Sequence, residues 1–136
     1  MRVALVVFVL GIAVTACKAA EPASVPLPRT EVTDIRYKGL VFLVATVRQA
    51  GADFVITNDS TQPWLDVTLV IVGAGTDEYR FHLSEIDAGQ SVTAPATQFA
   101  SSGGVAFNAE RVMPRTLIVS AEIGEGGPTG IYAVRL

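Results

Sequence analysis

From Asp34 onward, apolar and polar residues alternate in short runs. Asp66 to Val72 sets Val67, Leu69 and Ile71 against Asp66, Thr68 and Val70. Tyr79, Phe81 and Leu83 oppose Arg80 and His82, and Phe54, Ile56 and Asn58 alternate with Val55 and Thr57. Leu117, Val119, Ala121 and Ile123 oppose Thr116, Ile118, Ser120 and Glu122. Leu40 to Val47 is almost continuously apolar, and Ile131 to Leu136 can supply a last strand. Period-two alternation is the mark of a half-buried strand. Turn-prone clusters separate the runs: Gln49-Ala50-Gly51, Asn58 to Pro63, Gly73-Ala74-Gly75, Asp87-Ala88-Gly89, Ser101 to Gly104 and Gly124 to Gly130. No helical pattern lies between them. The spacing predicts an all-β fold over residues 34–136, an antiparallel β-sandwich of about seven strands.

The first 33 residues follow another pattern. Met1-Arg2 is a minimal positive start, Val3 to Val14 is uninterrupted apolar or Gly, and small residues lead into Cys17. A transmembrane anchor needs more length. At about 1.5 Å per residue, Val3 to Ala16 reaches roughly 21 Å, short of the ~30 Å hydrocarbon core. Cleavage of an ordinary secretory leader at Val14-Thr15-Ala16 is the other alternative. It would leave a lone exposed thiol in an oxidising compartment. The run Leu10-Gly11-Ile12-Ala13-Val14-Thr15-Ala16-Cys17 resembles the lipobox of a bacterial lipoprotein signal peptide.

That resemblance implies a leader of residues 1–16, diacylglyceryl modification of the Cys17 sulfur, and acylation of the new amine. Two or three acyl chains, at about 0.8 kcal/mol per buried methylene, hold where a single chain does not. The expected localisation is the bacterial cell envelope, lipid-anchored and extracytoplasmic. Lys18, rather than Asp, after the cysteine favours the outer membrane facing the periplasm. Residues 17–33 contain Pro22, Pro26 and Pro28 among small residues and read as a flexible tether. At about 3.1 Å per residue it reaches up to ~45 Å. Val25 to Leu27 is also able to pack as an edge strand.

A second resemblance sits in the domain itself. Phe54 to Leu69 is similar to a motif of small extracytoplasmic domains of immunoglobulin or fibronectin-III type: an F-x-I-x-N strand, a polar turn, and a Trp entering the next strand. Ile86-Asp87-Ala88-Gly89-Gln90-Ser91 resembles their following turn, and Gln98 to Phe107 their F-x-x-x-x-G-x-x-F corner, with Phe99 and Phe107 expected in the core. The likeness spans most of residues 53 to 123. It implies a fold and transfers no catalytic residue.

Composition narrows the function. Thirteen acidic side chains face ten basic ones, of which Arg2 belongs to the leader, and no basic run is interleaved with aromatics. Nucleic acid is therefore not an expected partner. Cys17 is the single cysteine, and with it acylated no disulfide or thiolate metal site forms within one chain. His82 is the single histidine, on the more polar face of its strand, and neighbouring Ser84 and Glu85 form no G-x-S-x-G elbow. The acids Asp77-Glu78, Asp53, Asp59, Asp66 and Asp87 read as turn and surface residues. Asp59 and Asp66 flank one loop but lack a calcium-loop series. The Gly124 to Gly130 loop lacks a phosphate-loop Lys, and Asn58-Asp59-Ser60 is a sequon without meaning in a bacterium. Trp64 has two readings: a plug at the sandwich end with its N–H on a turn carbonyl, or an exposed anchor for a partner.

No catalytic residue, metal or cofactor is expected. The expected role is a non-catalytic binding or structural module that contacts lipid through Cys17 and another envelope protein. A ligand-binding or inhibitor lipoprotein using the end loops is the alternative, and a small hydrolase a further one.

Overall fold

The longest alternating run becomes the centre of a five-stranded sheet. In the computed structural model, which describes residues 24–75 and 77–136, nine strands form. They are β1 (Val25–Pro26), β2 (Val41–Phe42), β3 (Ala45–Ala50), β4 (Asp53–Asn58), β5 (Trp64–Gly73), β6 (Glu78–Ile86), β7 (Ser91–Pro95), β8 (Pro114–Ile123) and β9 (Thr129–Arg135). One sheet has the order β1-β3-β4-β7 and the other β2-β9-β8-β5-β6. Pairing is antiparallel except for β2 on β9, which is parallel. The chain is an all-β sandwich, compatible with an immunoglobulin or fibronectin-III type of domain. The leader, Cys17 and the start of the tether lie outside the described residues.

Alternation puts the expected residues inside. Phe54 and Ile56 from β4 face Val67, Leu69 and Ile71 from β5, with Leu117, Val119 and Ala121 from β8 beside them. Phe99 and Phe107 are both buried, as their motif implies: Phe99 lies 6.0 Å from Phe54 and 5.6 Å from Phe81, and Phe107 lies 5.2 Å from Tyr79. Edge-to-face and tilted rings at these separations contribute beyond their buried area.

Three details depart from simple alternation. Counting back by twos from Val67 puts Leu65 inside and Trp64 outside. Instead Asp66 adopts φ 48 at a bulge, where β5 slips by a residue against β8 between Leu65 and Thr68. The extra residue turns Trp64 inward, and Asp tolerates the left-handed backbone that a bulge requires.

The apolar run Leu40 to Val47 is not one strand. It serves both sheets: Val41–Phe42 pairs with β9, the chain crosses at Leu43 and Val44, and Ala45 begins β3. Gly130 permits the crossing, since a Cβ there would sit 2.5 Å from Leu43 Cδ2. The expected tether of residues 17–33, finally, does not stay free over its described part. Val25–Pro26 pairs with β3, Leu27 N–H donates to Val47 at 3.0 Å, and Thr30 N–H donates to Ala133 at 2.9 Å. Residues 24–33 therefore pack onto the sandwich as edge strand and strap rather than spanning free space.

That strap is the least expected element. Arg29 bridges to Val134, after which residues 30–41 cross the outer face of the five-stranded sheet and return to β9 as β2. Val32, Tyr37 and Leu40 cover Val70, Ile118, Ile131 and Ala133, forming a second small core behind the first. Asp34 caps a short 3-10 turn over Ile35–Tyr37 by accepting from Arg36 N–H at 2.9 Å.

Candidate interaction surface

Two ends of the sandwich differ in chemistry. At the end where β4, β6 and β8 finish, here termed the Asn58 end, Asn58 is fully buried and fully partnered. Its Nδ2 donates to Gln62 O (2.8 Å) and Ile86 O (3.0 Å), and its Oδ1 accepts from Ser60 N–H (3.0 Å) and Oγ (2.6 Å). Its backbone bonds Gln90 and Gly89. One side chain thus ties the β4–β5 turn to the β6–β7 turn. The sequence shows Asn58 as a turn former, and its role as a buried staple emerges from the pairing.

Trp64 lies beneath this end, fully buried against Ile86 and Ile123 as strand neighbours. This corrects the exposed-anchor reading: the Asp66 bulge has turned the indole inside, so it is not a surface contact. The expected bond to a turn carbonyl is also not formed, and Nε1 has no partner among the described residues.

The candidate catalytic groups do not assemble. His82 is exposed on β6, its Nδ1 3.5 Å from Thr68 Oγ1. Ser84 and Glu85 are exposed further along. Asp87 beside Glu85 favours its protonated carboxyl, by accepting a hydrogen bond from it and by repelling the carboxylate, which raises the Glu85 carboxyl above its ordinary range. Asp53 opens β4, Asp66 sits at the bulge in β5, and Asp59 and Asp77 lie in separate connections; no three His, Cys, Asp or Glu converge among the described residues.

At the opposite side of the outer face, Arg36 ties the strap to β6. Its guanidinium grips Asp34 at 2.6 Å and Glu78, whose other oxygen accepts from Arg80 at 3.0 Å. The hydrogen bonds from Arg36 hold the Asp34 and Glu78 carboxyls below their usual range, and the two carboxylates raise Arg36. Burial raises the Tyr37 phenol.

Between strap and β9 lies a groove of about 420 Å³ lined by Arg29, Lys38, Leu40, Phe42 and Ile131, among others. The Arg29 guanidinium stacks 3.9 Å from the Phe42 ring centre. Along its rim the crossing exposes three apolar side chains within four residues: Val41 (44%), Phe42 (65%) and Val44 (60%). Exposed apolar residues occurring singly mean little, whereas a consecutive run at a sheet edge marks a contact surface. Leu43 N–H donates inward to Ile131, so strand alternation points the Phe42 N–H and C=O away from β9.

No family model, curated protein or solved structure matches this chain.

Proposed function

We propose that the chain is a non-catalytic lipoprotein of the bacterial cell envelope, anchored through Cys17, whose immunoglobulin-like or fibronectin-III-like sandwich binds another envelope protein. The observation that carries the binding half is the exposed run Val41, Phe42 and Val44 on a sheet edge. Such an edge offers apolar area together with free backbone groups, the two components of strand addition by a partner. The anchoring half rests on the lipobox-like run ending at Cys17. The non-catalytic part is supported by the exposure of His82, Ser84 and Glu85 on open strand surface. A ligand-binding reading has one observation in its favour, the Arg29–Lys38 groove beside Phe42.

The anchor is tested by labelling with radioactive palmitate and by fractionating a Cys17→Ala variant. Label in the wild type, with release of the variant from membranes, is the expected result; a variant that stays with membranes sinks the anchor. Binding is tested by photo-crosslinking in native envelopes from probes placed around the sandwich. Adducts to a protein are expected, and none from any face defeats the binding reading.

A further inference from the structure

The binding reading leaves open what kind of partner fits, and the distribution of charge around the exposed run addresses that. Register places Asp59, Asp66, Glu85, Asp87, Glu122 and Glu125 on the turns and strand ends of the Asn58 end. No Lys or Arg shares those turns. The rest of the described chain carries the other six carboxylates and all eight described Lys and Arg side chains. A chain only mildly acidic overall therefore presents one strongly negative end. Those carboxylates do not converge as metal ligands among the described residues, so they act as a field rather than a cage. Glu85 and Asp87 repel each other within it.

The exposed apolar run borders this field. Val41 lies opposite Gly130, the residue after the Glu122–Thr129 pair, and Val44 C=O accepts the Asp59 N–H at 2.9 Å. The nearest cations, Arg29 and Lys38, line the adjoining groove, with Arg29 held on the Phe42 ring. Apolar side chains whose rim is acidic on the turn side, with Arg29 and Lys38 on the groove side, select partners by complementarity: along the turns like charge is rejected and opposite charge is steered in.

We infer that the Asn58 end and the Val41–Val44 edge together form a docking face for a cationic polypeptide segment that also carries apolar side chains. This rests on the protein-binding reading and names the chemistry of the partner. The apolar side chains lie on Phe42 and Val44, and the Lys or Arg side chains reach the turn carboxylates. A second copy of this chain fits less well, because its remaining surface holds only a small positive excess. An anionic lipid surface is repelled.

The test uses the full-length chain in detergent and two fluorescent peptides of equal length, one alternating Lys and Val, the other Glu and Val. Fluorescence anisotropy should show the Lys peptide binding at least about tenfold more tightly, a difference of ~1.4 kcal/mol. The preference should collapse at about 1 M salt, where the Debye length falls to ~3 Å. Phe42→Ser and the pair Glu85→Gln/Asp87→Asn should each weaken binding severalfold, while Glu110→Gln at the opposite end leaves it unchanged. Phe42 is mostly exposed, so its variant keeps the fold.

Equal binding of the two peptides overturns the inference, as does an equal effect of Glu110→Gln. An unaffected Phe42→Ser variant overturns it too, by reducing the attraction to charge alone. Self-association in sedimentation velocity that Phe42→Ser abolishes assigns the face to a second copy instead. In native envelopes, a crosslinker at Asp53 that captures protein when one at Val44 does not defeats this inference and leaves partner binding standing. Silence from probes on every face defeats partner binding as well.

Discussion

The two faces of the five-stranded sheet are buried by different means. The inner face meets the second sheet through Val67, Leu69, Ile71, Leu117 and Val119, each placed by alternation along its strand. The outer face is polar by the same alternation at Thr68, Ser120 and Arg80, yet Val70, Ile118, Ile131 and Ala133 interrupt it. Those four are covered by a strap with no strand of its own between Arg29 and Val41. A sandwich needs its inner face to exist, whereas the outer patch needs only a cover. The strap supplies that cover and, on returning, delivers Phe42 and Val44 to the surface.

The largest expected effect tests the inner face. Trp64→Ala removes the largest fully buried side chain and should cost about 3–5 kcal/mol, read as a lower urea midpoint. Its indole N–H has no partner among the described residues, so the loss is one of packing, and Trp64→Phe should recover much of it. An alanine variant as stable as wild type would mean that the bulge does not fix the indole inside.

Ile118→Ala puts the same question to the strapped face. Burial there is nearly complete, but the cover is a loop able to settle into the space, so a cost near the lower end of the ~2–5 kcal/mol range is expected. The sharper readout is hydrogen exchange. The Thr30 and Leu43 amides, which bond Ala133 and Ile131, should lose protection while amides in β4 keep theirs. Equal loss in β4 would make strap and sandwich one cooperative unit and erase the distinction.

Asn58→Ala should follow at about 1–3 kcal/mol, because the Ile86 and Gln62 carbonyls lose their donor in a buried setting. Asn58→Asp should be no rescue, since a carboxylate cannot donate to either carbonyl. Thermal melts of both variants check the ranking, and an unchanged Asn58→Ala would show that water replaces the amide.

How much of this was legible in the sequence follows the same division. The inner strands announce themselves because one face is apolar at every second residue, and Phe99 and Phe107 because a corner motif needs core aromatics. β7 is quiet: Ser91-Val92-Thr93-Ala94-Pro95 has a single large apolar residue and ends in proline. The strap was hidden for a different reason. Val32, Tyr37 and Leu40 have no periodicity, since a loop buries side chains wherever its path dips. Trp64 was undecidable by alternation, because a single residue at positive φ inverts every side chain before it. Within the candidate surface, Val41 to Val44 reads as ordinary core until the crossing between sheets exposes three of the four. The acids were visible as turn residues, but only register gathers them at one end.

The smallest effect concerns the contact that fastens strap to sheet, and pH gives it a sign. Asp34 and Glu78 have folded-state carboxyls held below the ordinary range by Arg36. Groups of that kind contribute stability that is present above the unfolded pKa and lost as pH falls through the folded one. Wild type and Arg36→Met should therefore differ at neutral pH by a small amount, because all three side chains are substantially solvated and salt screens them. The difference should close below the ordinary carboxylate range. Glu85 runs the other way. Its carboxyl is raised by Asp87, so its contribution is present at low pH and lost as pH rises through the folded pKa. Glu85→Gln should then stabilise the protein slightly at neutral pH and change nothing in acid. Melts of both variants across pH 3 to 8, at low salt, should give curves of opposite sign that converge at the acid end. Curves of the same sign would show that the strap contact and the acidic end are not the electrostatic opposites their partners imply: a charge pair that fastens, and a charge excess held open for something else to neutralise.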